Sequence, residues 1–266
     1  MTDGNEPLAF DDVGNGPVVV FIHGLTFCRR TWDPIVARLR DRFRCIAIDL
    51  PGHGDSSGSG AEPFALAQRL HETLVRLDVT APVVIGHSAG TMVATGYAAR
   101  FPVAGVVDVD QPMLAGGFAR MVQQLAPLLR GRDFTGAFAP FEQSIGVDRL
   151  PEPERSRVAA TRRIDQHTVL DHWHLPLTTP PDEVQALVDG LLGDITVPFL
   201  YVGGDELPAP AREHLDAHLH QPEIVVWPGR GHLVHLAEPE RFAGLVAAFC
   251  DRLPTSGSSR SETRAG

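Results

Sequence analysis

Short runs of apolar, mostly β-branched residues recur along the chain and alternate with stretches in which apolar residues follow a helical period. The apolar runs predict strands near 18–22, 45–49, 83–87, 105–109, 197–202 and 223–227. The helical stretches lie near 31–40, 63–77, 89–100 and 238–252. Because strands that alternate with helices form parallel sheets covered on both faces, we expect an α/β fold with a doubly wound, mostly parallel sheet.

The strand pattern stops between residues 111 and 193, and helical stretches such as 118–129 and 182–192 take its place. This segment is broken by Pro127, Gly131, Pro140 and Pro151. It is typical of a helical cap inserted over the sheet. The predicted division is therefore 1–112 for the first part of the core, 113–193 for the cap, 194–253 for the second part of the core, and 254–266 for a disordered, Ser/Gly-rich tail.

Composition limits the classes of function that the chain can serve. With 266 residues and 43% hydrophobic residues, it can bury a sizeable core. A formal net charge of -10 argues against non-specific binding of nucleic acid, which requires clusters of Lys and Arg. The sequence contains no lysine, and this excludes Schiff-base and pyridoxal-phosphate chemistry that depends on the lysine amine.

Three widely spaced cysteines, Cys28, Cys45 and Cys250, suggest neither a disulfide framework nor a zinc ribbon. The first seven residues lack the basic and apolar regions of a signal peptide, and no apolar run is long enough to cross a membrane. We therefore expect a cytoplasmic protein that binds neither membranes nor nucleic acid. The oligomeric state is left open.

Ser88 is the predicted chemical centre. It lies in Gly86-His87-Ser88-Ala89-Gly90, a G-x-S-x-G sequence that follows an apolar strand and precedes a helical stretch. In a nucleophile elbow of this kind, the serine lies on a sharp strand-to-helix turn with its hydroxyl exposed. The helix N-terminus behind the serine favours developing negative charge.

Three further segments occur in the order expected of a serine hydrolase: His23-Gly24-Leu25 after a strand, the stretch Asp49-Leu-Pro-Gly-His-Gly-Asp-Ser56 after another, and a late Gly231-His232. Together with the elbow they make residues 8–252 resemble the α/β-hydrolase superfamily. The resemblance implies a sheet of about eight strands, a helical cap that shapes the substrate pocket, and no cofactor.

The resemblance also implies roles for individual residues. His232 would be the catalytic base, with His235 as its closest competitor, and the backbone N–H groups of Leu25 and Ala89 would form the oxyanion hole. His23 would contact substrate or, by hydrogen bonding, shape its own loop. His53, in a stretch that is mostly structural in the family, is a poor catalytic candidate.

The acid that would orient the base has three candidates. Most members of the superfamily carry it in a G-x-x-D arrangement after the strand that precedes the histidine strand. Here that strand is followed by Gly203-Gly204-Asp205-Glu206, in which Glu206 has the usual spacing and Asp205 the usual identity. Some members carry the acid one strand earlier, where this chain has Asp110.

Two other groups of histidines have alternative interpretations. His214, His218 and His220 have helix-like spacing beside Glu213 and would suit a divalent ion, but a solvated helix face is the favoured interpretation, so no metal is predicted. In the cap, Trp173 is a candidate for stacking on substrate, or packs within the cap. It belongs to a cluster with His167, Asp171, His172 and His174.

The sequence therefore predicts a cofactor-free serine hydrolase that cleaves an ester, lactone or thioester of a hydrophobic small molecule through an acyl-enzyme. Several phenylalanines in the cap, Phe118, Phe134, Phe138 and Phe141, favour an acyl or aryl substrate. Two alternatives stay open: C–C bond hydrolysis or a lyase reaction with the same residues, and a ligand-binding protein with little turnover.

Overall fold

The computed structural model describes residues 6–59 and 63–253. Within this part of the chain, seven strands form one sheet: β1 (Phe10–Val13), β2 (Val18–Ile22), β3 (Arg44–Ile48), β4 (Val83–His87), β5 (Gly105–Val109), β6 (Phe199–Gly203) and β7 (Glu223–Val226). The strand order is β1-β3-β2-β4-β5-β6-β7. Only β1 is antiparallel to its neighbour in this sheet. The predicted α/β class and mostly parallel sheet are confirmed, with seven strands described where about eight were expected.

The strand that the sequence pattern missed is β1. Its sequence, Phe-Asp-Asp-Val, is short and half polar, and its residues alternate between partly buried and exposed. Such an edge strand carries too little hydrophobic signal for a periodicity argument, although pairing with β3 places it in the sheet.

The described helices are α1 (Asp33–Leu39), α2 (Pro63–Arg76), α3 (Ala89–Ala98), α4 (Ala115–Leu129), α5 (Phe134–Ile145), α6 (Glu154–Thr161), α7 (Gln166–His172), α8 (His174–Thr178), α9 (Pro181–Gly193), α10 (Ala209–His218), α11 (Val234–Ala237) and α12 (Pro239–Arg252). Among these residues, none of the helices is long and apolar enough to span a bilayer. The predicted tail, 254–266, lies outside the described residues.

Apolar side chains cover both faces of the sheet. Along β2, Val20 and Ile22 join the apolar cluster on one face, while Val19 and Phe21 join the cluster on the other. Because successive side chains of a strand point to opposite faces, a strand buried on both sides is a continuous apolar run. The carboxyl ends of the central strands β4 and β5 are thereby fixed next to one another.

Helices α4 to α9, residues 115–193, lie between β5 and β6, and we call them the inserted segment. Pro127 and Pro140 lie inside α4 and α5, so the expectation that they break the helical pattern is wrong. Pro127 is near the end of α4, in its last turn, and the flanking apolar residues of both helices are buried in one cluster. Packing of these apolar faces outweighs the hydrogen bond that each proline removes.

Candidate active site

Ser88 lies on the turn between β4 and α3 with φ 52° and ψ -123°, a conformation that non-glycine residues rarely adopt. The neighbouring Gly86 and Gly90 leave no room for a side chain. A Cβ on Gly86 would overlap the backbone of α3, and a Cβ on Gly90 would overlap the carbonyl oxygens at the end of β2. The G-x-S-x-G sequence is therefore explained by close backbone packing around a strained serine.

The loop after β2 lies against this serine. A Cβ built on Gly24 would be 3.2 Å from Ser88 Cβ and 2.9 Å from His87 Nδ1. The next turn is fixed because Thr26 N–H donates to His53 Nε2 at 3.1 Å. Leu25 is thus held in a loop beside Ser88.

Ala89, directly after Ser88, is the first residue of α3. The first N–H groups of a helix have no partner within the helix and carry the positive end of its dipole. The backbone N–H of Ala89 is therefore suited to an anionic oxygen formed at Ser88.

His232 is paired with Asp110. The Nδ1–H group of His232 donates to Asp110 Oδ2 at 2.7 Å, and both side chains are about one-fifth exposed. Asp110 follows β5 with a φ of 58°, which turns the chain at the end of the strand. Since Nδ1 is occupied, Nε2 is the ring nitrogen of His232 that remains to exchange a proton.

Gly204 connects Asp110 to the loop that carries His232. Its N–H donates to Asp110 Oδ1 at 2.9 Å, and its carbonyl oxygen accepts from the N–H groups of Arg230 and Gly231 at 2.8 and 3.1 Å. A Cβ on Gly204 would overlap the backbone of Gly231, so only glycine fits. Gly204, directly after β6, thus holds two loops together.

The structure separates the other two acid candidates from His232. Asp205 Oδ1 accepts a 3.3 Å hydrogen bond from the N–H of Gly229, and Asp205 is exposed. Glu206 is also exposed. Of the three carboxylates, it is Asp110 that the structure places against the imidazole.

His87, the variable residue of the G-x-S-x-G sequence, is fully buried beneath His232. Its Nε2–H donates to the backbone carbonyl of His232 at 3.0 Å, and the two ring centroids are 4.7 Å apart. Burial, and next the neighbouring His235, lower the pKa of His87 well below its usual value, so the ring is neutral. No sequence signal marks this contact, because any residue type satisfies the variable position of the motif.

His235, the competitor of His232 as base, is also fully buried, and its ring lies against Trp32 at a centroid distance of 4.6 Å. Neither ring nitrogen has a hydrogen-bond partner among the described residues. Burial lowers its pKa to about 3. His235 is thus a packed, neutral ring, whereas His232 has the carboxylate partner.

His23 is fully buried, and both of its ring nitrogens are bound to backbone. Nδ1–H donates to Gly24 O at 2.8 Å, and Nε2 accepts from Leu50 N–H at 3.0 Å. Desolvation lowers its pKa to about 3. Of the two roles expected for His23, these contacts favour shaping its own loop over binding substrate, because neither ring nitrogen is left for a substrate.

Trp173 lies in an aromatic cluster of the inserted segment and is only 8% exposed. Its ring centroid is 4.9 Å from that of Phe141 and 5.2 Å from that of Phe118, both of which are partly buried. Leu25 packs against the same cluster. The inserted segment therefore presents apolar side chains to the loop beside Ser88.

Two other histidines of that segment, His167 and His172, lie on α7. His172 Nε2–H donates to Pro51 O at 2.9 Å, and its ring lies 4.8 Å from that of His53. His167 is exposed and lies 3.4 Å from an Asp171 carboxylate oxygen. His172 thus joins α7 to the loop after β3, whereas His167 and Asp171 pair with each other on α7.

His214 and His218 project from α10 toward Asp189 of α9. One ring nitrogen of each and one carboxylate oxygen of Asp189 lie within 4.8 Å of one another. His220, the third histidine in the predicted spacing, is exposed and is not part of this group.

The sequence profile of the Alpha/beta hydrolase family matches residues 19–245. The chain belongs to this family. The match begins at the second residue of β2 and includes β3 to β7, the inserted segment and the first half of α12. It therefore covers every residue of the candidate active site.

Known relatives span nearly the whole chain. Pimeloyl-(acyl-carrier protein) methyl ester esterase of Neisseria meningitidis is 29% identical over 88% of this chain and 93% of its own length. A 2-succinyl-6-hydroxy-2,4-cyclohexadiene-1-carboxylate synthase of Enterobacter is 29% identical over 87% of this chain and 90% of its own. The solved structure of an esterase from Exiguobacterium antarcticum has a TM-score of 0.76 at 19% identity, covering 92% of this chain and 95% of its own. Esterases are thus among the proteins this hydrolase-family chain is similar to.

Proposed function

We propose that this protein is a serine hydrolase that cleaves a carboxylic ester, lactone or thioester of a hydrophobic small molecule. The observation that carries the proposal is the 2.7 Å hydrogen bond from His232 Nδ1 to Asp110 Oδ2, in a loop held over the residue that precedes Ser88. A serine on a strained turn, an imidazole and a carboxylate that orients it are the parts that acyl transfer requires.

In the first half of the reaction, Ser88 Oγ attacks the substrate carbonyl while His232 Nε2 takes the hydroxyl proton. The C–O bond of the serine ester forms, and the carbonyl electron pair moves to oxygen. The N–H groups of Leu25 and Ala89 hold that oxyanion, since one belongs to the loop beside Ser88 and the other to the start of α3. The imidazolium then protonates the leaving group as its bond to carbon breaks.

In the second half, water attacks the acyl-enzyme and His232 Nε2 accepts its proton. Asp110 keeps the proton of the imidazole on Nδ1, so that Nε2 is free to act as a base, and stabilises the imidazolium that forms in each half. The proton returns to Ser88 Oγ as the acid product leaves. Besides substrate and water, the groups that act in both halves belong to this chain.

The inserted segment would act as a cap over Ser88 and form the pocket for an acyl or aryl group of the substrate. Leu25 packs against the aromatic cluster around Trp173, so a substrate at Ser88 meets apolar surface on the side of the inserted helices. The relative from Neisseria, named as a methyl ester esterase, supports an ester as the bond cleaved.

The test compares hydrolysis of p-nitrophenyl esters of short to medium acyl chains by the native protein, Ser88→Ala and Ser156→Ala. Ser156 is exposed on α6 and serves as the matched control. We expect kcat/KM to fall by at least about 10³-fold in Ser88→Ala and to stay unchanged in the control. Equal rates in all three proteins would rule out serine-dependent ester hydrolysis.

A lyase or C–C bond hydrolase with the same residues is the second candidate. The relative from Enterobacter is named as a synthase and, like the esterase, is 29% identical to this chain, so a reaction other than ester hydrolysis is kept as a candidate. Mass spectrometry with an active-site acylating probe distinguishes the two. An acyl group that appears on Ser88 and is then hydrolysed supports acyl transfer. Folded protein that no ester acylates favours the second candidate.

A further inference from the structure

We propose that Asp189, His214 and His218 form a binding site for a divalent transition-metal ion of the zinc class at the contact between α9 and α10. The site is separate from the residues assigned to catalysis. Two imidazoles and one carboxylate are a ligand set that suits Zn²⁺, Co²⁺ or Ni²⁺, whereas Mg²⁺ and Ca²⁺ prefer oxygen ligands alone.

One ring nitrogen of each histidine and one Asp189 oxygen lie within 4.8 Å of one another, and the two histidines are nearest to different oxygens of the carboxylate. His214 Nε2 lies 3.5 Å from Asp189 Oδ1, and His218 Nε2 lies 4.0 Å from Asp189 Oδ2. For metal–ligand bonds near 2.0–2.1 Å, the ligand atoms of a tetrahedral zinc site lie about 3.3 Å apart. Small side-chain rotations therefore bring the three ligand atoms to coordinating distance of one ion.

Hydrogen bonds already orient two of the ligands. His218 Nδ1–H donates to the backbone carbonyl of His214 at 2.9 Å, which places the proton on Nδ1 and leaves the Nε2 lone pair toward Asp189. Gln185 donates to Asp189 Oδ1 at 2.7 Å. Metal-binding histidines and carboxylates ordinarily carry such outer hydrogen bonds, which fix the tautomer and the ligand orientation.

An ion can reach the site, because the side chains of Asp189 and His218 are 34% and 30% exposed and that of His214 is 11% exposed. With three protein ligands, the fourth position is open to water. Sequence spacing pointed to His214, His218 and His220 beside Glu213, and did not identify Asp189. The carboxylate belongs to α9, which precedes β6 in the chain, whereas the histidines belong to α10, which follows it. The three ligands therefore meet only in the folded protein.

A bound ion would link the last helix of the inserted segment to the core. Asp189 lies on the last helix of the segment, and His214 and His218 lie on the core helix that follows β6. Gln185 also accepts from Gly116 N–H at 3.0 Å and donates to Met113 O at 3.3 Å, where the chain leaves the core. The α9 turn that carries Asp189 therefore contacts both the core helix α10 and the start of the inserted segment.

The experiment is calorimetric titration of ZnCl₂ into untagged, chelator-treated protein, repeated with Asp189→Asn, His214→Gln and His218→Gln. The matched control is His220→Gln, an exposed histidine outside the group. We expect one site of micromolar or tighter affinity in the native protein and the control, at least a 10-fold loss in each of the three variants, and no binding of MgCl₂ by any of them. Circular dichroism verifies that each variant is folded.

A second measurement uses the native protein alone. Long-range ¹H–¹⁵N spectra of its imidazole rings, recorded with and without one equivalent of ZnCl₂, should show shifts of His214 and His218 Nε2 while His220 stays unchanged. Absence of zinc binding in the micromolar range, equal affinity in all variants, or shifts on other histidines would overturn the proposal. None of these results depends on esterase activity, so the proposed function is tested separately.

Discussion

Asp110 Oδ1 accepts a 2.9 Å hydrogen bond from the N–H of Gly204, while the other oxygen of the same carboxylate accepts from His232 Nδ1 at 2.7 Å. One side chain at the end of β5 therefore binds both the loop after β6 and the loop after β7. A carboxylate that accepts two N–H donors is fixed in orientation, and so is the imidazole bound to it.

Replacement of Asp110 by Asn should lower kcat of ester hydrolysis by about 10²–10⁴-fold. The amide can still hydrogen-bond to the ring, but its NH₂ group favours the imidazole tautomer whose proton is on Nε2, and it no longer stabilises the imidazolium. The matched change is Asp205→Asn, because Asp205 is exposed and bonds only to the Gly229 N–H among the contacts described here. Asp205→Asn should stay within about 3-fold of native kcat; the reverse ranking of the two variants would make Asp205 the acid.

Gly204→Ala should impair both stability and turnover. A methyl group at this position overlaps the carbonyl of Gly231, so the loop that carries His232 must move. We expect a loss of about 1–3 kcal/mol in the free energy of unfolding, measured by urea denaturation, and a lower kcat. The control is Gly244→Ala in α12, where a Cβ meets nothing within 4 Å and alanine should stabilise the helix by up to about 1 kcal/mol. Native kcat in folded Gly204→Ala would contradict the role given to this glycine.

Much of the fold could be predicted from hydrophobic pattern. The strands at 83–87 and 105–109 have the bounds that the apolar runs predict, because central parallel strands are buried on both faces and leave a continuous signal. The edge strand Phe10–Val13 left no such signal. In the inserted segment, the predicted stretches 118–129 and 182–192 lie within three residues of the bounds of α4 and α9, whereas the pattern did not locate α5 to α8. Tertiary packing carries α5 through Pro140, which the pattern treated as a break.

Some parts of the candidate active site could likewise be predicted from the sequence and others could not. The strained turn at Ser88 follows from local sequence, because it is formed by residues adjacent in the chain. The partner of His232 does not, since it depends on which of two strand ends lies nearer to a loop far along the chain. The roles of Gly204, His87 and Asp189 likewise depend on contacts between distant segments, which spacing in one sequence does not encode.

Phe141→Ala should change the preferred acyl chain length. Phe141 is half-buried, its ring is 4.9 Å from Trp173, and the cluster they share packs against Leu25 beside Ser88. Removing the ring enlarges the apolar pocket, so kcat/KM for longer p-nitrophenyl esters should rise about 10-fold relative to the shortest. Leu128→Ala, an exposed apolar residue on the same segment, should leave the profile unchanged. An unchanged profile in Phe141→Ala would place the acyl pocket elsewhere.

His235 should make the protein sensitive to acid. Burial lowers its pKa to about 3, against about 6.5 for an unfolded histidine, so between these values the unfolded chain binds more protons than the folded one. The stability associated with this residue is therefore full above pH 6.5 and is lost as the pH falls toward 3. At about 1.4 kcal/mol per pH unit, one such histidine costs up to about 2 kcal/mol between pH 6.5 and 5.

His235→Leu tests this assignment, because leucine removes the titrating ring and suits the surroundings of Trp32 and Phe242. We expect the loss in free energy of unfolding between pH 7 and 5, measured by urea denaturation, to be about 2 kcal/mol smaller in the variant than in the native protein. Any packing strain from leucine shifts the free energy equally at both pH values, so the difference between them isolates the titration. His220→Gln, at an exposed position, should keep the native pH dependence. If His235→Leu loses as much stability as the native protein over this range, the acid sensitivity arises from other groups.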